Sequence, residues 1–451
     1  MKAWTWGSAL LIVALASTLV SAVALGQIDW LNLVIIIFTL YSGLILFAAL
    51  GDRKRKAALK SDCYRPFVTC LIPAHNEQDV IEATVRSLCR MNYRKKGKPN
   101  FEVMVVDDGS TDETLPILHV LQRELPLLKV VERKPPECAK GKSAVLNHGL
   151  RASRGEIIAV FDADTRVEPN FLVKSVACLF DPEVGGVQGR VRIYNADQNL
   201  LTLMQEDEFS VMAHLVQASK DVLNGMTGLG GNGQLTRRTA IEAVGGWNEL
   251  SATEDLDLTV RLLLEGYSVR YCGDAVLWQE AVSHGYPLLR QRVRWSEGFI
   301  KCLFDYAVPF LVRPMPAFKR FDGLASLVRC LLPMWALLAY IALGAGLLTG
   351  TPLSNSLPWW LYAAASGVFF LITFLGIYTI QQLSVLQTAW RVVLYWGYNF
   401  IWFAAVPLGF VNCLKNLDSI KWDKTEHRGD QPRQPLARVP TISLPLIEVV
   451  D

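Results

Sequence analysis

Long stretches without charged side chains bracket a charged central region, and this pattern limits the fold more strongly than any other feature. Residues 6–25 and 31–50 contain no charged residue, and each has about the 20 residues that a helix needs to cross a bilayer. A cleaved signal peptide has a shorter apolar region and is not followed at once by a second one. We therefore predict two retained N-terminal transmembrane helices.

A basic run follows the second predicted span: Arg53, Lys54, Arg55 and Lys56, with Lys60 close behind. Basic residues beside membrane spans mark the cytoplasmic side. This pattern predicts that residues 51–320 face the cytoplasm. Apolar stretches return at 324–348, 359–380 and 392–411 and are the further predicted spans, and the aromatic segment 298–312 is predicted to lie flat in the membrane interface.

The five predicted spans conflict with the charge of the C-terminal tail. An odd number of spans would place the tail outside, yet it carries basic residues that include Lys415, Lys421, Lys424 and Arg428. We therefore predict that one late segment, beginning near Arg391 and containing Asn399, is interfacial or re-entrant.

The resulting domain plan has five parts. These are two N-terminal transmembrane helices at 1–51, a cytosolic domain at 52–297, an interfacial segment at 298–320, a C-terminal transmembrane region at 321–413 and a cytosolic tail at 414–451. The chain is thereby predicted to be an integral multi-pass membrane protein.

Apolar runs alternate with helical patterns in the central region. The runs at 67–72, 103–106, 129–131 and 157–161 predict strands, and the patterns at 78–91 and 142–152 predict helices. Strands separated by helices form mainly parallel sheets. The predicted fold class is therefore α/β with a mixed, mainly parallel sheet, and ligands bind such sheets at the carboxyl ends of the strands.

Composition excludes several classes of partner. The nine cysteines contain no C-x-x-C pair, so neither a zinc site nor a disulfide scaffold is predicted. A formal net charge of +3 is too small to indicate a nucleic-acid partner.

Two carboxylates, Asp162 and Asp164, directly follow the apolar run 157–161. At this spacing both can reach one divalent cation, which can bridge the phosphates of a nucleotide and neutralise the charge of a leaving group. A solvated acidic turn is the alternative interpretation. The position at a strand end favours a metal site, and oxygen ligands suit Mg²⁺ or Mn²⁺.

Polar residues follow other strands in the same way. Glu77 comes after the first apolar run, and Asp107 and Asp108 come after the second. Lys142 opens a predicted helix after Gly141, where backbone N–H groups and an ammonium favour an anion such as a diphosphate. The aspartates could equally form a turn in which Ser110 or Thr111 caps a helix.

Two further motifs carry both a structural and a functional interpretation. Glu254 and Asp255 begin a predicted helix, where carboxylates are favourable caps, but a carboxylate here could also be a general base that takes a proton from a hydroxyl. Gln291, Arg294 and Trp295 share one face of a later helix. They could bind a diphosphate and a sugar ring or anchor the helix at the membrane.

In combination, these motifs resemble those of family-2 inverting glycosyltransferases with membrane spans. LIPAHNE, VVDDGSTDET, GKSAVLN, FDAD, ATEDLDL and QRVRW occur in that order across residues 65–300. The resemblance implies a GT-A fold, a UDP-sugar donor and Mg²⁺ or Mn²⁺. It also implies roles for single residues: UDP-sugar contacts at Glu77, Asp107, Asp108, Lys142 and Asp162, metal ligands at Asp162 and Asp164, catalysis at Asp255 with Glu254, and acceptor and diphosphate contacts at Gln291, Arg294 and Trp295.

Within that family two groups of enzymes resemble this chain. The stretch GGNGQLTRRTAIEAVGGWNE, with EDLDLTVRL and RWSEGFIKCLFDY, is more similar to cyanobacterial monoglucosyldiacylglycerol synthases. That likeness implies transfer of glucose from UDP-glucose to 1,2-diacylglycerol with β linkage, although Glu254 departs from the Asp expected in that group. Cellulose, hyaluronan and poly-N-acetylglucosamine synthases share Q-x-x-R-W, so a processive synthase of a β-linked glycan is the alternative.

A transporter with a nucleotide-sensing cytosolic domain is a more distant alternative. Such a protein needs polar or ionisable residues inside its spans, and the predicted spans contain few beyond Arg329, Arg391 and Asn399. The sequence thus favours a membrane enzyme whose partners are a UDP-sugar donor, a lipid or glycan acceptor and the lipid bilayer.

Overall fold

The computed structural model of the chain describes residues 29–50, 64–350, 359–415 and Gly429. Within these ranges the strands, numbered in chain order, are β1 Val68–Ala74, β2 Arg94–Lys95, β3 Lys98–Pro99, β4 Phe101–Asp107, β5 Leu128–Glu132, β6 Ile157–Val160, β7 Arg166–Val167, β8 Val184–Ile193, β9 Gln234–Arg237 and β10 Ser268–Gln279. Eight of them form one sheet in the order β5-β4-β1-β6-β9-β8-β10-β7, and β2 and β3 form a separate hairpin.

The helices of the first part of the chain are α1 Asp29–Leu50, α2 Ile81–Cys89, α3 Thr114–Glu124, α4 Lys142–Ala152, α5 Phe171–Ala177 and α6 Leu200–Glu208. A π-helical segment, Phe209–Val216, continues α6 and leads into α7 Gln217–Val222. The remaining helices are α8 Arg238–Ala243, α9 Glu254–Leu264, α10 Gly285–Val312, α11 Ala317–Val328, α12 Leu332–Thr349, α13 Trp359–Gln381, α14 Val385–Tyr398 and α15 Ile401–Lys415.

The sheet confirms the predicted α/β class. β5, β4, β1 and β6 run parallel to one another, and all residues of β4 and β6 are buried. Strands covered on both faces are apolar along their whole length, which is why the apolar runs predicted them. β9 pairs antiparallel with both β6 and β8, so the sheet is mixed, as predicted.

Helices cover both faces of the sheet. On one face Leu118 and Phe171 pack in a core with β1 and β4, and on the other face Leu146 and Leu258 pack in a second core. A third core joins α9, α10, α11 and α15, so the sheet domain and the C-terminal helices share buried apolar surface. This shared burial fixes α10 between the sheet domain and the C-terminal helices.

Three helices in the described part of the chain are long and apolar enough to cross a membrane: Ala317–Leu338, Ala363–Gln381 and Val385–Lys415. The second predicted N-terminal span coincides with α1, whereas the first one, the basic run at 53–56 and the tail beyond Lys415 other than Gly429 lie outside the described residues. In the last of the three, α14 ends at Tyr398 and α15 begins at Ile401. The segment that contains Asn399 is therefore two helices, and its predicted interfacial or re-entrant placement stays a prediction.

The segment predicted to be interfacial, 298–320, begins within a helix, and its placement in the membrane interface stays a prediction. Its first residue lies inside α10, which runs without a break from Gly285 to Val312. Phe304 and Phe310 are fully buried in the third core, and the Tyr306 hydroxyl donates a hydrogen bond to Asp257. Aromatic side chains that the sequence suggested for a lipid surface thus pack inside the protein.

Candidate active site

The polar strand ends meet at one edge of the sheet. Asp107 is the last residue of β4 and pairs in register with Ala74 of the parallel strand β1, and the segment with Asp162 and Asp164 follows β6. Asp164 is almost fully buried, and its carboxylate accepts a hydrogen bond of 2.7 Å from the backbone N–H of Glu280, just beyond β10. The predicted convergence at the carboxyl ends of the strands is therefore present in the fold.

Lys142 connects two of the predicted site carboxylates. Its ammonium nitrogen lies 2.8 Å from Oδ1 of Asp162 and 2.9 Å from Oε1 of Glu254. Burial alone would lower the pKa of Lys142, but the two carboxylates outweigh burial and hold that pKa above its ordinary value. Lys142, Asp162, Glu254 and the adjacent Asp255 are called the lysine cluster below.

The pKa values of Glu254 and Asp255, neighbours at the start of α9, are shifted in opposite directions. Burial acts to raise the pKa of Glu254, but Lys142 and then Arg294 hold it below its ordinary value. Burial, followed by the negative charge of Glu254, raises the pKa of Asp255 to about 7. Two carboxyl groups with pKa values pushed apart by their surroundings are typical of acid–base sites.

A glycine allows the backbone to approach this cluster. Gly231 has a φ of +77°, and a Cβ atom placed on it would lie 3.2 Å from Oδ2 of Asp255 and 3.5 Å from the Lys142 nitrogen. Left-handed backbone and close contact both favour glycine at this position. The loop before β9 therefore forms one wall of the lysine cluster.

The predicted metal ligands differ in accessibility. The Asp162 side chain is 33% exposed, whereas Asp164 is 2% exposed. No group of three or more His, Cys, Asp or Glu residues in the described ranges is arranged to hold a metal ion. Mg²⁺ is ordinarily bound by one or two carboxylates together with substrate phosphates and water, so this donor set fits a cation shared between protein and nucleotide.

Three of the predicted UDP-sugar contacts, Glu77, Asp107 and Asp108, lie beside the first strands. Asp107 accepts hydrogen bonds from the N–H groups of Gly109 and Ser110 within the turn after β4. Asp108 forms an ion pair with Arg133. Burial raises the pKa of Asp108, and the Arg133 charge opposes that shift. The Glu77 backbone N–H donates to Thr114, which ties the turn after β1 to α3.

Arg133 did not emerge from the sequence analysis. It directly follows β5 at Glu132, so the rule that selected Asp107 and Asp162 applies to it equally. Its guanidinium is buried and binds both Asp108 and the carbonyl of Glu137. A polar residue after a short, half-exposed strand gave a weaker signal than one after a fully buried strand.

The predicted face of Gln291, Arg294 and Trp295 lies on α10, close to the lysine cluster. Arg294 acts electrostatically on Glu254. A Cβ atom on Gly298, one turn later, would lie 2.4 Å from Thr253, so α10 and the start of α9 are in direct contact. Gln291 and Trp295 both contact Arg292, a fully buried residue that the sequence analysis passed over.

The chain is similar in sequence to named enzymes. A β-monoglucosyldiacylglycerol synthase of Trichormus variabilis is 36% identical over 315 residues, which are 69% of this chain and 66% of the relative. The enzyme of that name from Synechocystis sp. is 33% identical over 387 residues, which are 80% of this chain and 75% of the relative. The chain thus spans about two thirds to three quarters of the length of these relatives.

A solved structure shares the fold. The mannosyltransferase PcManGT from Pyrobaculum calidifontis, in complex with GDP-Man and Mn²⁺, superimposes with a TM-score of 0.60 over 87% of this chain and 98% of its own, at 21% identity. The sheet domain is therefore of the GT-A type, as the resemblance implied. Residues 65–298, which contain every predicted site residue, match the family described as glycosyltransferase like family 2, and with the fold and the Synechocystis relative this match shows that the chain belongs to that family of glycosyltransferases.

Proposed function

We propose that the chain is an inverting hexosyltransferase that transfers glucose from UDP-glucose to the free hydroxyl of 1,2-diacylglycerol with β linkage. The observation that carries this proposal is the lysine cluster: Asp255, a carboxyl with a pKa of about 7, lies next to Lys142, which is paired with the half-buried carboxylate of Asp162. The diacylglycerol acceptor is supported by the names and the identity of the Trichormus and Synechocystis relatives.

Asp255 is the proposed general base. A base is most effective when its pKa is close to the working pH, and burial beside Glu254 moves Asp255 into that range. The acceptor hydroxyl loses its proton to Asp255, its oxygen forms a bond to the anomeric carbon, and the bond from that carbon to UDP breaks. A single displacement converts an α-linked donor into a β-glycoside.

Lys142, Asp162 and Asp164 are proposed to hold the diphosphate side. Mg²⁺ or Mn²⁺ bound by Asp162 and Asp164 would supply positive charge to the departing diphosphate. Lys142 pairs with both Asp162 and Glu254, and its ammonium at the start of α4 is proposed to contact phosphate oxygens as well. Asp108 and Arg133 lie where the nucleoside is proposed to bind.

We propose further that the protein is a multi-pass membrane protein with the sheet domain in the cytosol. Large apolar side chains are exposed on the N-terminal helix and on α14, where Phe47 is 74%, Leu386 81% and Trp390 62% exposed. Exposed apolar side chains on neighbouring helices are typical of a lipid-facing surface. An acceptor dissolved in the bilayer would then reach Asp255 from the membrane side.

The test is product analysis in liposomes. Protein reconstituted with diacylglycerol and labelled UDP-glucose is expected to place label in the solvent-extractable lipid phase as one β-linked hexose per lipid. UDP-N-acetylglucosamine and GDP-mannose serve as donor controls. A long, lipid-free β-glycan as the main product would overturn the lipid acceptor in favour of a processive synthase.

A further inference from the structure

Arg292 is the largest fully buried side chain in the described ranges and lies inside the motif Q-R-V-R-W. One end of its guanidinium donates a hydrogen bond of 2.6 Å to Oε1 of Gln291. Its central carbon lies 4.1 Å from the centre of the Trp295 ring, within the range of a favourable cation–π contact. A single arginine thus contacts two of the three residues predicted on the acceptor side.

The other end of the guanidinium binds partners from remote helices. Nη2 donates to Oε2 of Glu208, the last residue of α6, and lies 2.9 Å from the hydroxyl of Tyr398, the last residue of α14. The Tyr398 hydroxyl in turn donates to the same Glu208 oxygen at 2.8 Å. Arg292, Glu208 and Tyr398 are called the arginine cluster below.

The C-terminal helix pair, α14 and α15, holds the motif from the same side. The Arg292 guanidinium lies 5.6 Å from the Trp402 ring of α15. A Cβ atom on Gly409 would lie 2.7 Å from Cβ of Ser296 and 2.9 Å from the backbone nitrogen of Glu297. Backbones this close lock α15 against α10 within one turn of Trp295.

The energetics make the arginine cluster a rigid unit. A buried charge is tolerated only when it is paired and hydrogen-bonded, and removal of one partner leaves an uncompensated charge. Arg292 therefore cannot move away from Glu208 and Tyr398 without a large cost. Because Gln291 and Trp295 contact the same guanidinium, their orientation follows the position of Tyr398.

We propose that Arg292 is a positioning residue that fixes Trp295 and Gln291 for the acceptor, and that the C-terminal helix pair sets this position through Tyr398. The inference rests on the proposed function, since it takes Gln291 and Trp295 to be the acceptor side. It makes the helices at 385–415 part of the acceptor site rather than a membrane anchor only. Binding of the acceptor therefore depends on how α14 and α15 pack against α10.

The first experiment compares Tyr398→Phe and Glu208→Gln with the wild type. Tyr398→Phe removes the hydroxyl that bonds both Arg292 and Glu208, and Glu208→Gln removes the charge paired with Arg292. The acceptor KM is therefore expected to rise about 3- to 10-fold, while the donor KM and UDP binding stay within about two-fold. Arg292→Lys, which keeps the charge but loses the planar fork, is expected to have the larger effect. Tyr378→Phe is the matched control, because it removes a hydroxyl from a half-exposed ring stacked on Phe374 of α13.

A double-mutant cycle separates positioning from general destabilisation. If Tyr398 acts through Trp295, Tyr398→Phe is expected to change the acceptor KM less than about two-fold in a Trp295→Ala background, because coupled residues are not additive. An unchanged acceptor KM in Tyr398→Phe and Glu208→Gln, or an equal loss of donor affinity, would overturn the proposal. The acceptor is identified beforehand from the product of the wild-type protein. If that acceptor is not diacylglycerol, the proposed function is corrected, and the variants are compared on the acceptor that was found.

Discussion

The lysine cluster and the arginine cluster each place one cation between buried or half-buried partners, yet they differ in access. In the first, the Lys142 side chain is 16% and that of Asp162 33% exposed. In the second, the side chains of Arg292 and Glu208 are 1% and 11% exposed. A charged group that is accessible to solvent can exchange its protein partner for a ligand, whereas a buried one can only hold its neighbours in place. The accessibility of Asp162 thus separates the cluster proposed to carry chemistry from the cluster proposed to set geometry, although Glu254 is as buried as Glu208, at 8% and 11% exposed.

The comparison predicts its largest effect for removal of the divalent cation. If Asp162 exchanges Lys142 for a metal, EDTA is expected to reduce transfer below detection, and Mg²⁺ or Mn²⁺ in excess to restore it. Initial rates of lipid glucosylation check this, with EDTA already saturated with Mg²⁺ as the control. Full activity in EDTA after prolonged dialysis would mean that Asp162 and Asp164 form only a polar turn.

A substitution in the lysine cluster is expected to cost rate rather than stability. Asp255→Asn keeps the shape of the side chain but cannot accept a proton, so kcat should fall at least ~10²-fold, while UDP binding is retained and the thermal midpoint is not lowered. Asp257→Asn is the matched control on the same helix. Asp257 is buried and bound by Arg261 and the Tyr306 hydroxyl, so its replacement should lower the midpoint. Near-normal turnover by folded Asp255→Asn would exclude Asp255 as the base.

The pH profile sharpens the same contrast. The base must be ionised, so kcat/KM should fall about tenfold per pH unit below an apparent pKa near 7. In the unfolded chain an aspartate ionises near 3.9. Because the folded protein holds this proton to a higher pH, Asp255 is expected to destabilise the fold as pH rises from about 4 to 7.

Thermal midpoints of the wild type and of Asp255→Asn, measured from about pH 4 to 7, check the direction of this effect. The wild type is expected to lose stability relative to the variant as pH rises. Glu254 has the opposite shift, so its contribution to stability is lost only as pH falls below the ordinary carboxyl range. The two neighbours interact strongly, and the measured values belong to the pair. An acid limb of the rate profile near 4 rather than 7 would show that burial of Asp255 does not set the working range.

The two clusters also show how much of the fold and of the candidate site could be predicted from the sequence. Buried parallel strands are continuous apolar runs, so β1, β4 and β6 and the polar residues after them could be found from local pattern alone. Lys142 and Asp162 are only 20 residues apart, since Lys142 begins α4 and Asp162 follows β6, the next element along the chain. The short π-helix after Glu208 and the strands β8 to β10 gave no comparable local signal.

The arginine cluster was not predictable in this way. Glu208 pairs with Arg292 at a separation of 84 residues and with Tyr398 at 190, and no local periodicity specifies which acid meets which arginine. Residues 206–208 pair with arginines of three different elements, since Glu206 pairs with Arg192, Asp207 with Arg391 and Glu208 with Arg292. In the sequence the same acids are indistinguishable from a solvated helix end. Only packing of α6 against the sheet and the C-terminal helices assigns their partners.

The smallest expected effect concerns a buried cation outside both clusters. Arg190 on β8 is 4% exposed, and its Nη2 atom has no hydrogen-bond partner among the described residues. Burial lowers the pKa of Arg190, and the two carboxylates that oppose this, Glu206 and Glu168, are already bound by Arg192 and Lys174. An uncompensated buried charge costs free energy that an apolar side chain of similar length does not.

Arg190→Met is therefore expected to raise the thermal midpoint, by about 2–4 °C for each kcal/mol gained in a domain of this size. Arg192→Met is the matched control, two residues along the same strand, because it strips Glu206 of a guanidinium that donates two hydrogen bonds to it. That variant should melt lower than the wild type. Thermal unfolding in detergent measures both shifts. If Arg190→Met also melts lower, the Arg190 guanidinium is satisfied in the folded protein. Arg190 would then stabilise the fold as Arg192 does, and the lack of a partner for its Nη2 atom among the described residues would not mark an unfavourable charge.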